Sequence, residues 1–142
     1  MEKFAFILHP LSLQDMEHLS PLMRYIPDPI IEACLKMKKP FKVSHITGIK
    51  SPYAEAEGWF IGCPLTAKQM VELPEEFVMD RIIESGKVAQ ELGAKIVGLG
   101  AFTSIVGDAG ITVAKNLDIA VTSGNSYTVA TAIQGTKQAA RM

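Results

Sequence analysis

The hydrophobic positions of the first twenty residues form a short apolar run and then a mixed stretch. Residues Phe4 to Leu8 are all apolar and are stopped by His9-Pro10, which is typical of a buried strand. Ser12 then stands where it can cap a helix, with Asp15 as the acidic residue of a capping box. The pattern therefore predicts a strand over 4–8 and a short helix from Ser12 to Leu19.

A second helix is predicted from the segment Pro27-Asp28-Pro29, because proline is favoured in the first helical turn. Its apolar positions recur at helical spacing, and lysines stand at its carboxyl end, where the helix dipole favours cations. The apolar positions are Ile30, Ile31, Cys34, Leu35 and Met37. This pattern predicts that Cys34 is a packed structural thiol.

Two strand-like segments follow, over 41–49 and 57–63, each with apolar residues at alternating positions. The residues between them, Lys50-Ser51-Pro52-Tyr53, are typical of a turn. We therefore expect an antiparallel hairpin.

The clearest helix signal begins near Pro74, where proline is followed by Glu75 and Glu76. Gly93 suits the position after the helix ends. The apolar stripe consists of Phe77, Val78, Ile82, Ala89 and Leu92, which leaves the glutamates on a solvated face.

After residue 94 the pattern changes to short apolar strands that alternate with helices. Strands are predicted over 95–99 and 119–121, and helices from Asp108 to Asn116 and from Asn125 to the last residue. Strands that are apolar on both faces and alternate with helices indicate a parallel sheet. The predicted fold class is α/β: a three-layer domain with a short, mostly parallel sheet, an antiparallel hairpin and flanking helices.

Composition and charge limit the function classes. The 142 residues suit one domain, and 14 Lys+Arg against 15 Asp+Glu give no basic field for nucleic acid. No apolar run reaches the roughly 18 residues that a membrane-spanning helix needs, and two cysteines are too few for a disulfide framework. We therefore expect a cytoplasmic protein with no membrane span and no nucleic-acid partner.

Two polar turns are the best candidates for a site. Thr103-Ser104 follows one predicted parallel strand, and Thr122-Ser123-Gly124-Asn125-Ser126 follows the next. Ligands of open α/β sheets bind at the carboxyl ends of the strands, and the second turn also opens a helix, whose free N–H groups suit an anion or a carbonyl oxygen. Ordinary capping by Ser123, Asn125 or Ser126 is the alternative, with Gly124 serving only the turn geometry.

Other possible chemistry has weaker support. Residues 98–103 begin like a dinucleotide fingerprint, but Thr103 stands where the third glycine belongs. Cys63 precedes Pro64 at a strand end, and His45 could lie across the hairpin from it, so a small thiol enzyme is one interpretation and a structural thiol the other. The three histidines, which include His9 and His18, have no metal-ligand spacing, so no metal site is predicted.

The last helix is rich in small residues and stops without a cap or a polar tail. This predicts that residues 1–124 form one domain and that 125–142 begin a helix connecting it to a further domain. Only six charged residues lie between Leu92 and Met142, so this part of the chain could be a self-association surface. The alternative is therefore a stand-alone binding or self-association module, which would form a homo-oligomer.

The segments 100–105 and 122–130 together resemble the N-terminal domain of the cyanobacterial-type long-chain acyl-carrier-protein reductases, which form aldehydes. They also resemble bacterial relatives described as shikimate-dehydrogenase-like. A fainter similarity covers 58–65 and includes Cys63. The stretches 10–55 and 106–118 differ, so a relative that reduces another thioester or carbonyl compound is an open alternative.

The resemblance implies a substrate-side domain of an NAD(P)-dependent oxidoreductase whose Rossmann domain lies beyond Met142. It implies a small-molecule or carrier-linked acyl substrate, and NADP or NAD bound mainly outside these residues. It gives Cys63 no catalytic role and leaves the catalytic residues unknown. Thr103, Ser104, Gly124, Asn125 and Thr128 match family positions that would line the cleft facing the cofactor domain.

Overall fold

A computed structural model of the chain describes residues 1–17 and 24–141. In chain order its elements are β1 (Glu2–Leu8), α1 (Gln14–Glu17), α2 (Asp28–Met37), β2 (Phe41–Lys50), β3 (Glu55–Gly62), α3 (Ala67–Glu72), α4 (Glu75–Glu91), β4 (Ile96–Leu99), a 3-10 turn (Ala101–Ser104), α5 (Ile111–Lys115), β5 (Ala120–Thr122) and α6 (Asn125–Ala139). The α/β class predicted from the sequence is confirmed.

The five strands form one mixed sheet in the order β2-β3-β1-β4-β5. β2 and β3 form the predicted antiparallel hairpin, while β3, β1, β4 and β5 run parallel to one another. From β1 the chain moves to β3 on one side and then crosses to β4 on the other. This change of direction places a topological switch point between β1 and β4, where open α/β sheets hold their ligands.

The main core lies between one face of the sheet and the helices α3, α4 and α5. Ala5 and Ile7 of β1 and Val97 of β4 point into it, because alternate residues of a strand face the same side. The buried helix residues opposite them are Met70, Val78, Met79, Ile82, Ile83, Ala89 and Val113. The apolar stripe predicted for the helix after Pro74 is therefore the central packing surface of the domain.

The other face of the sheet carries Phe4, Phe6, Phe60, Ile96 and Ala120, as the strand registers show. We call these five residues the open face. Phe6 is 37% exposed and Ile96 is 40% exposed. In the described part of the chain, neither of the two buried hydrophobic clusters includes Phe4, Phe6, Phe60 or Ile96.

One short helix was not predicted. α3 begins after Thr66, whose hydroxyl accepts a hydrogen bond from the backbone N–H of Gln69 at 3.2 Å. The Gln69 side chain accepts one in return from the backbone N–H of Thr66 at 3.1 Å, which completes a capping box. The amide of Gln69 also donates to the carbonyl oxygen of Glu32 at 3.0 Å, so this cap holds α2 against α3.

Several predicted helix boundaries change. α1 begins at Gln14 rather than at Ser12, although the Asp15 carboxylate does accept the Ser12 N–H at 3.0 Å. The predicted end at Leu19 lies outside the described residues. α5 begins at Ile111 rather than Asp108, because Ala109 adopts a left-handed φ of 57°. α6 begins at Asn125 as expected and ends at Ala139, short of the last residue.

The prediction for Cys34 was wrong, because this thiol is exposed. α2 is covered along a narrow line, where Ile31 and Leu35, four residues apart, are its buried side chains. Cys34 lies one residue off that line.

In the portion of the chain with described structure, no helix is both long and apolar enough to cross a bilayer.

Candidate functional site

The carboxyl ends of four parallel strands meet at one edge of the sheet. β1 ends at Leu8 and β3 at Gly62, and they are followed by His9-Pro10 and Cys63-Pro64. β4 and β5 are adjacent and end before the turns at 101–104 and 123–124. The two polar turns predicted as a site therefore lie at the same edge of the sheet.

His9 joins the ends of β1 and β4. Its Nε2 accepts a hydrogen bond from the backbone N–H of Phe102 at 3.2 Å, and its Nδ1 is 3.0 Å from the Pro10 carbonyl oxygen. Because the Phe102 group can only donate, we assign the imidazole proton to Nδ1, which donates to Pro10. The Phe102 ring packs edge-on against the imidazole at 5.8 Å. This edge is thus fixed by hydrogen bonds at the switch point.

An apolar cavity of about 190 Å³ opens beside His9, at the ends of β1 and β3. Leu35 of α2 and Val43 of β2 contribute to its walls, and the polar groups around it belong to His9 and Asp15. The lining residues are Leu8, His9, Pro10, Asp15, Leu35, Phe41, Val43, Gly62, Cys63 and Pro64. Neighbouring strands are about 4.8 Å apart, and β5 is two strands away from β1 and three from β3. The two strand ends at this cavity therefore lie roughly 10 and 14 Å from β5.

Asp15 is committed to the backbone. Its Oδ2 accepts hydrogen bonds from the backbone N–H groups of Leu11 at 2.8 Å and Ser12 at 3.0 Å. A carboxylate that holds two donors in this way is an anchor for the chain after β1 rather than a free base. The cavity can therefore receive an apolar group, but its walls carry no free acid or base.

The first polar turn uses its hydroxyls locally. Thr103 is 1% exposed, and its Oγ1 donates to the Gly100 carbonyl oxygen at 2.7 Å. Ser104 is half-buried and donates to the Ala101 carbonyl oxygen at 2.7 Å. Both side chains hold the 3-10 turn together, and the turn as a whole forms the rim of the edge above β4.

The second turn leaves helix N–H groups open to solvent. Gly124 has a φ of 74°, a left-handed conformation that favours glycine, and no side chain caps α6. Thr122 Oγ1 accepts the Gly124 N–H at 3.2 Å, and Thr128 Oγ1 donates to the Gly124 carbonyl oxygen at 3.2 Å. Asn125 and Ser126 are exposed in the first turn of α6. Gly124 therefore serves the turn geometry, and the alternative in which Ser123, Asn125 or Ser126 caps α6 is not what the structure shows.

The pairing of His45 with Cys63 was also wrong. In the hairpin register His45 lies opposite Trp59, and its ring stacks on the indole with a centroid distance of 5.3 Å. His45 Nε2 is 3.2 Å from Glu57 Oε2. Cys63 is fully buried, and this burial raises the pKa of its thiol to about 11. The cysteine is protonated at neutral pH, which makes it a structural thiol.

The two cysteines should therefore differ sharply in reactivity. With iodoacetamide at pH 8, we expect Cys34 to be alkylated at the rate of a free thiol. Cys63 should react at least about 100-fold more slowly than Cys34. A pKa two units higher leaves about a hundredth of the thiolate, and burial also blocks access of the reagent. Peptide mass spectrometry over a time course measures both rates. In guanidinium chloride the two rates should converge, and equal rates in the native protein would contradict the buried thiol.

The residues missed by sequence reasoning are those that build the apolar cavity. His9 has no metal-ligand spacing in the sequence, but it directly follows β1, whose carboxyl end lies beside that of β4. Val43 and Leu35 come from other parts of the chain, and their positions depend on how α2 and β2 close over β1 and β3. The signal that could have identified His9 was its place after an apolar strand of a parallel sheet.

Metal binding receives no support from side-chain positions. Among residues 1–17 and 24–141, no group of three or more His, Cys, Asp or Glu side chains is close enough to hold an ion.

Two larger clefts, of about 500 and 670 Å³, are lined mostly by polar and charged side chains near α2 and between α4 and α5. The cavity beside His9 is the smaller and more apolar site, and it lies at the strand ends.

Comparison with known proteins gives one informative result. No protein-family model matches the chain. The chain is 38% identical over 87 residues to the aminotransferase PigE of Serratia sp. (strain ATCC 39006). The matched segment covers 61% of this chain and 10% of that protein. The chain therefore spans about a tenth of the curated relative it matches, and it is similar to one segment of a much longer protein.

Proposed function

We propose that this chain is the substrate-side N-terminal domain of an NAD(P)-dependent oxidoreductase that acts on an acyl thioester or a related carbonyl compound. The observation that supports this best is the juxtaposition, at one sheet edge, of an apolar cavity and an uncapped helix N-terminus. An acyl substrate has an apolar chain and a carbonyl oxygen, and these two features match its two parts.

In this proposal the cavity beside His9 holds the apolar part of the substrate. The turn around Gly124, with Asn125, Ser126 and Thr128, faces the polar part, and the 3-10 turn at Thr103 and Ser104 shapes the cleft between them. The described residues bind and orient the substrate. The hydride would come from NADP or NAD when that cofactor is bound.

The cofactor is assigned mainly to a following domain. Residues 98–103 carry two of the three fingerprint glycines, and β4 leads into a 3-10 turn rather than directly into an α-helix. A dinucleotide pyrophosphate needs the helix N-terminus that this turn replaces. The proposal therefore expects the isolated 142-residue chain to be inactive.

The similarity to an aminotransferase supports a modular role rather than transamination by this chain. Aminotransferases hold pyridoxal phosphate on a lysine, and such lysines work best when desolvated. Across the described residues every lysine is at least partly exposed. A match to a tenth of that relative fits a domain that larger enzymes carry beside other domains.

Calorimetric titration of the 142-residue chain tests the proposal with two probes. S-hexanoyl pantetheine should bind, because its chain can enter the cavity, whereas NADPH should give no saturable heat. Val43→Trp should weaken thioester binding at least tenfold by filling the cavity, since Val43 lines it and is 48% exposed.

Val71→Trp is the matched control, because Val71 is 70% exposed and does not line the cavity. It should bind the thioester as the wild type does, with both variants melting at similar temperatures. Equal binding by Val43→Trp, or tight binding of NADPH to this chain, would argue against the proposal.

A further inference from the structure

The 3-10 turn after β4 has a backbone N–H that is accepted from outside the turn. The first N–H groups of any helix have no acceptor within that helix, and a side chain just before the helix often supplies one. Here the preceding residue is Gly100, so no such side chain caps the turn. His9, which follows β1, accepts the Phe102 N–H with its Nε2 at 3.2 Å instead. One imidazole therefore joins this turn to the end of β1.

The same turn holds a residue in a strained backbone conformation. Ala101 has a φ of 48°, in the left-handed region that alanine rarely adopts. Such a conformation persists only where the surrounding contacts fix it. On one side of Ala101, the Gly100 N–H donates to the carbonyl oxygen of Ile7 at 3.2 Å. On the other side stands the bond from Phe102 to the imidazole. The strained residue is therefore fixed by one backbone contact and one side-chain contact.

Only the neutral form of His9 can make the side-chain contact. A neutral imidazole has one donor nitrogen and one acceptor nitrogen, whereas both nitrogens of an imidazolium are donors. Nδ1 donates to the Pro10 carbonyl oxygen at 3.0 Å, so a second proton must bind to Nε2, where it would face the Phe102 N–H. Two donors cannot bond to each other. The contact is therefore present at higher pH, where the imidazole is neutral, and is lost as the pH falls and the imidazole becomes protonated.

The other groups around His9 keep their charge over the range in which histidines titrate, about pH 5 to 8. Asp15 of α1 and Cys63 after β3 are the titratable side chains that line the cavity with His9. Aspartates are ionised in this range, and burial raises the pKa of the Cys63 thiol to about 11, so it stays neutral. α2, β2 and the 3-10 turn contribute apolar side chains, which are Leu35, Phe41, Val43 and Phe102.

We propose that His9 is a positioning residue that holds the 3-10 turn against β1 while it is neutral and releases the turn when it is protonated. Release removes the contact on one side of Ala101 and lets its strained backbone relax. The turn carries Thr103 and Ser104 at the rim of the cleft, so its position sets the shape of the cleft. The release itself is independent of the proposed oxidoreductase role, and its effect on substrate binding rests on that role.

Amide hydrogen exchange of the 142-residue chain, measured by NMR at pH 5.5 and 7.5 and corrected for the intrinsic effect of pH, tests the release. The Phe102 amide should lose protection at least about tenfold at pH 5.5, because its acceptor is gone. The Gly100 amide is the internal control and should change less than about twofold, since its acceptor is a backbone carbonyl oxygen at the same edge. Equal protection of Phe102 at both pH values would overturn the proposal, as would an equal loss at Gly100.

Two substitutions of His9 separate its charge from its presence. His9→Gln keeps an acceptor that does not titrate, so the protection of Phe102 should differ less than about twofold between the two pH values. His9→Phe has no acceptor, so Phe102 should exchange rapidly at both. The wild-type comparison is repeated in a chain with His18→Gln and His45→Gln, in which His9 is the remaining histidine of three. A pH dependence that survives His9→Gln, or that disappears in the chain retaining His9 alone, would overturn the proposal.

Binding of S-hexanoyl pantetheine at the same two pH values tests the consequence for the cleft. The wild type should bind the thioester about tenfold more weakly at pH 5.5, because a tenth or less of the molecules hold the turn in place. His9→Gln should remove this difference. Absence of thioester binding at either pH, beside a pH-dependent Phe102 amide, would contradict the proposed function and leave the release intact. Equal thioester binding at both pH values would overturn the role of the turn in the cleft.

Discussion

Replacing Ile82 with alanine is expected to lower the free energy of unfolding by about 2–5 kcal/mol, the range measured for large-to-small substitutions in cores. Ile82 lies in the middle of α4 and is fully buried. It belongs to the cluster that joins α4 to Ile7 of β1 and Ile61 of β3. Alanine favours the helix more than isoleucine does, so any loss reports packing alone. Urea denaturation followed by circular dichroism measures the change.

Ile30→Ala is the matched control, because Ile30 lies in a helix and is 54% exposed. It should shift the free energy of unfolding by less than about 0.5 kcal/mol, as exposed positions do. The Ile82 variant should also speed the alkylation of Cys63, since the thiol belongs to the same buried cluster. A variant that keeps wild-type stability would mean that α4 does not anchor the sheet.

The mostly parallel sheet with its antiparallel hairpin could be predicted in outline because strands that are apolar on both faces leave a clear mark on the sequence. Residues 4–8 and 95–99 are apolar at nearly every position, which distinguishes them from the alternating hairpin strands. The turn at 50–53 is polar and short, and it fixed the antiparallel pairing of β2 with β3. These signals are local, so a single sequence contains them.

Three features depend on contacts between residues that are distant in the sequence: the cavity, the register of the hairpin, and which side of α2 is buried. β2 shifts its register between Lys42 and Ser44 and again between Ile46 and Ile49. These shifts decide that His45 lies opposite Trp59 rather than opposite Gly58 or Phe60, and nothing in the alternation of β2 marks them. α3 was missed because six residues are too few to show a helical period, although Thr66 and Gln69 have capping-box spacing.

The polar turns show a different limit. Thr103, Ser104 and Thr128 are residue types that suit both a ligand and their own backbone. Their place at the carboxyl edge followed from the sheet topology, but the partner of each hydroxyl depends on the conformation of a few backbone groups. In this structure each of them bonds to a carbonyl oxygen three or four residues earlier.

Gly100→Ala should lower the free energy of unfolding by about 1–3 kcal/mol, the usual cost of overpacking. A Cβ at Gly100 would lie 2.7 Å from the carbonyl oxygen of Ile7, and the same backbone pair is joined by the Gly100 N–H at 3.2 Å. The alanine would therefore force β4 away from β1 at the switch point. The neighbouring Gly98 differs, because its Cβ would meet only the Phe6 ring, which can rotate.

Gly135→Ala separates this backbone contact from the general effect of replacing glycine. Gly135 lies in α6 with no atom within 4 Å of the added Cβ, so alanine there should stabilise the helix by up to about 1 kcal/mol. Urea denaturation should therefore show a lower free energy of unfolding for Gly100→Ala and a higher one for Gly135→Ala. This difference in sign would show that the edge near His9 is held by the close approach of two backbones. Loss of the hydrogen bond between Phe102 and His9 should accompany the Gly100 substitution as faster amide exchange at Phe102. If both variants gain stability, β1 and β4 do not approach as closely as the structure places them, and the switch point has more room than the proposed cleft requires.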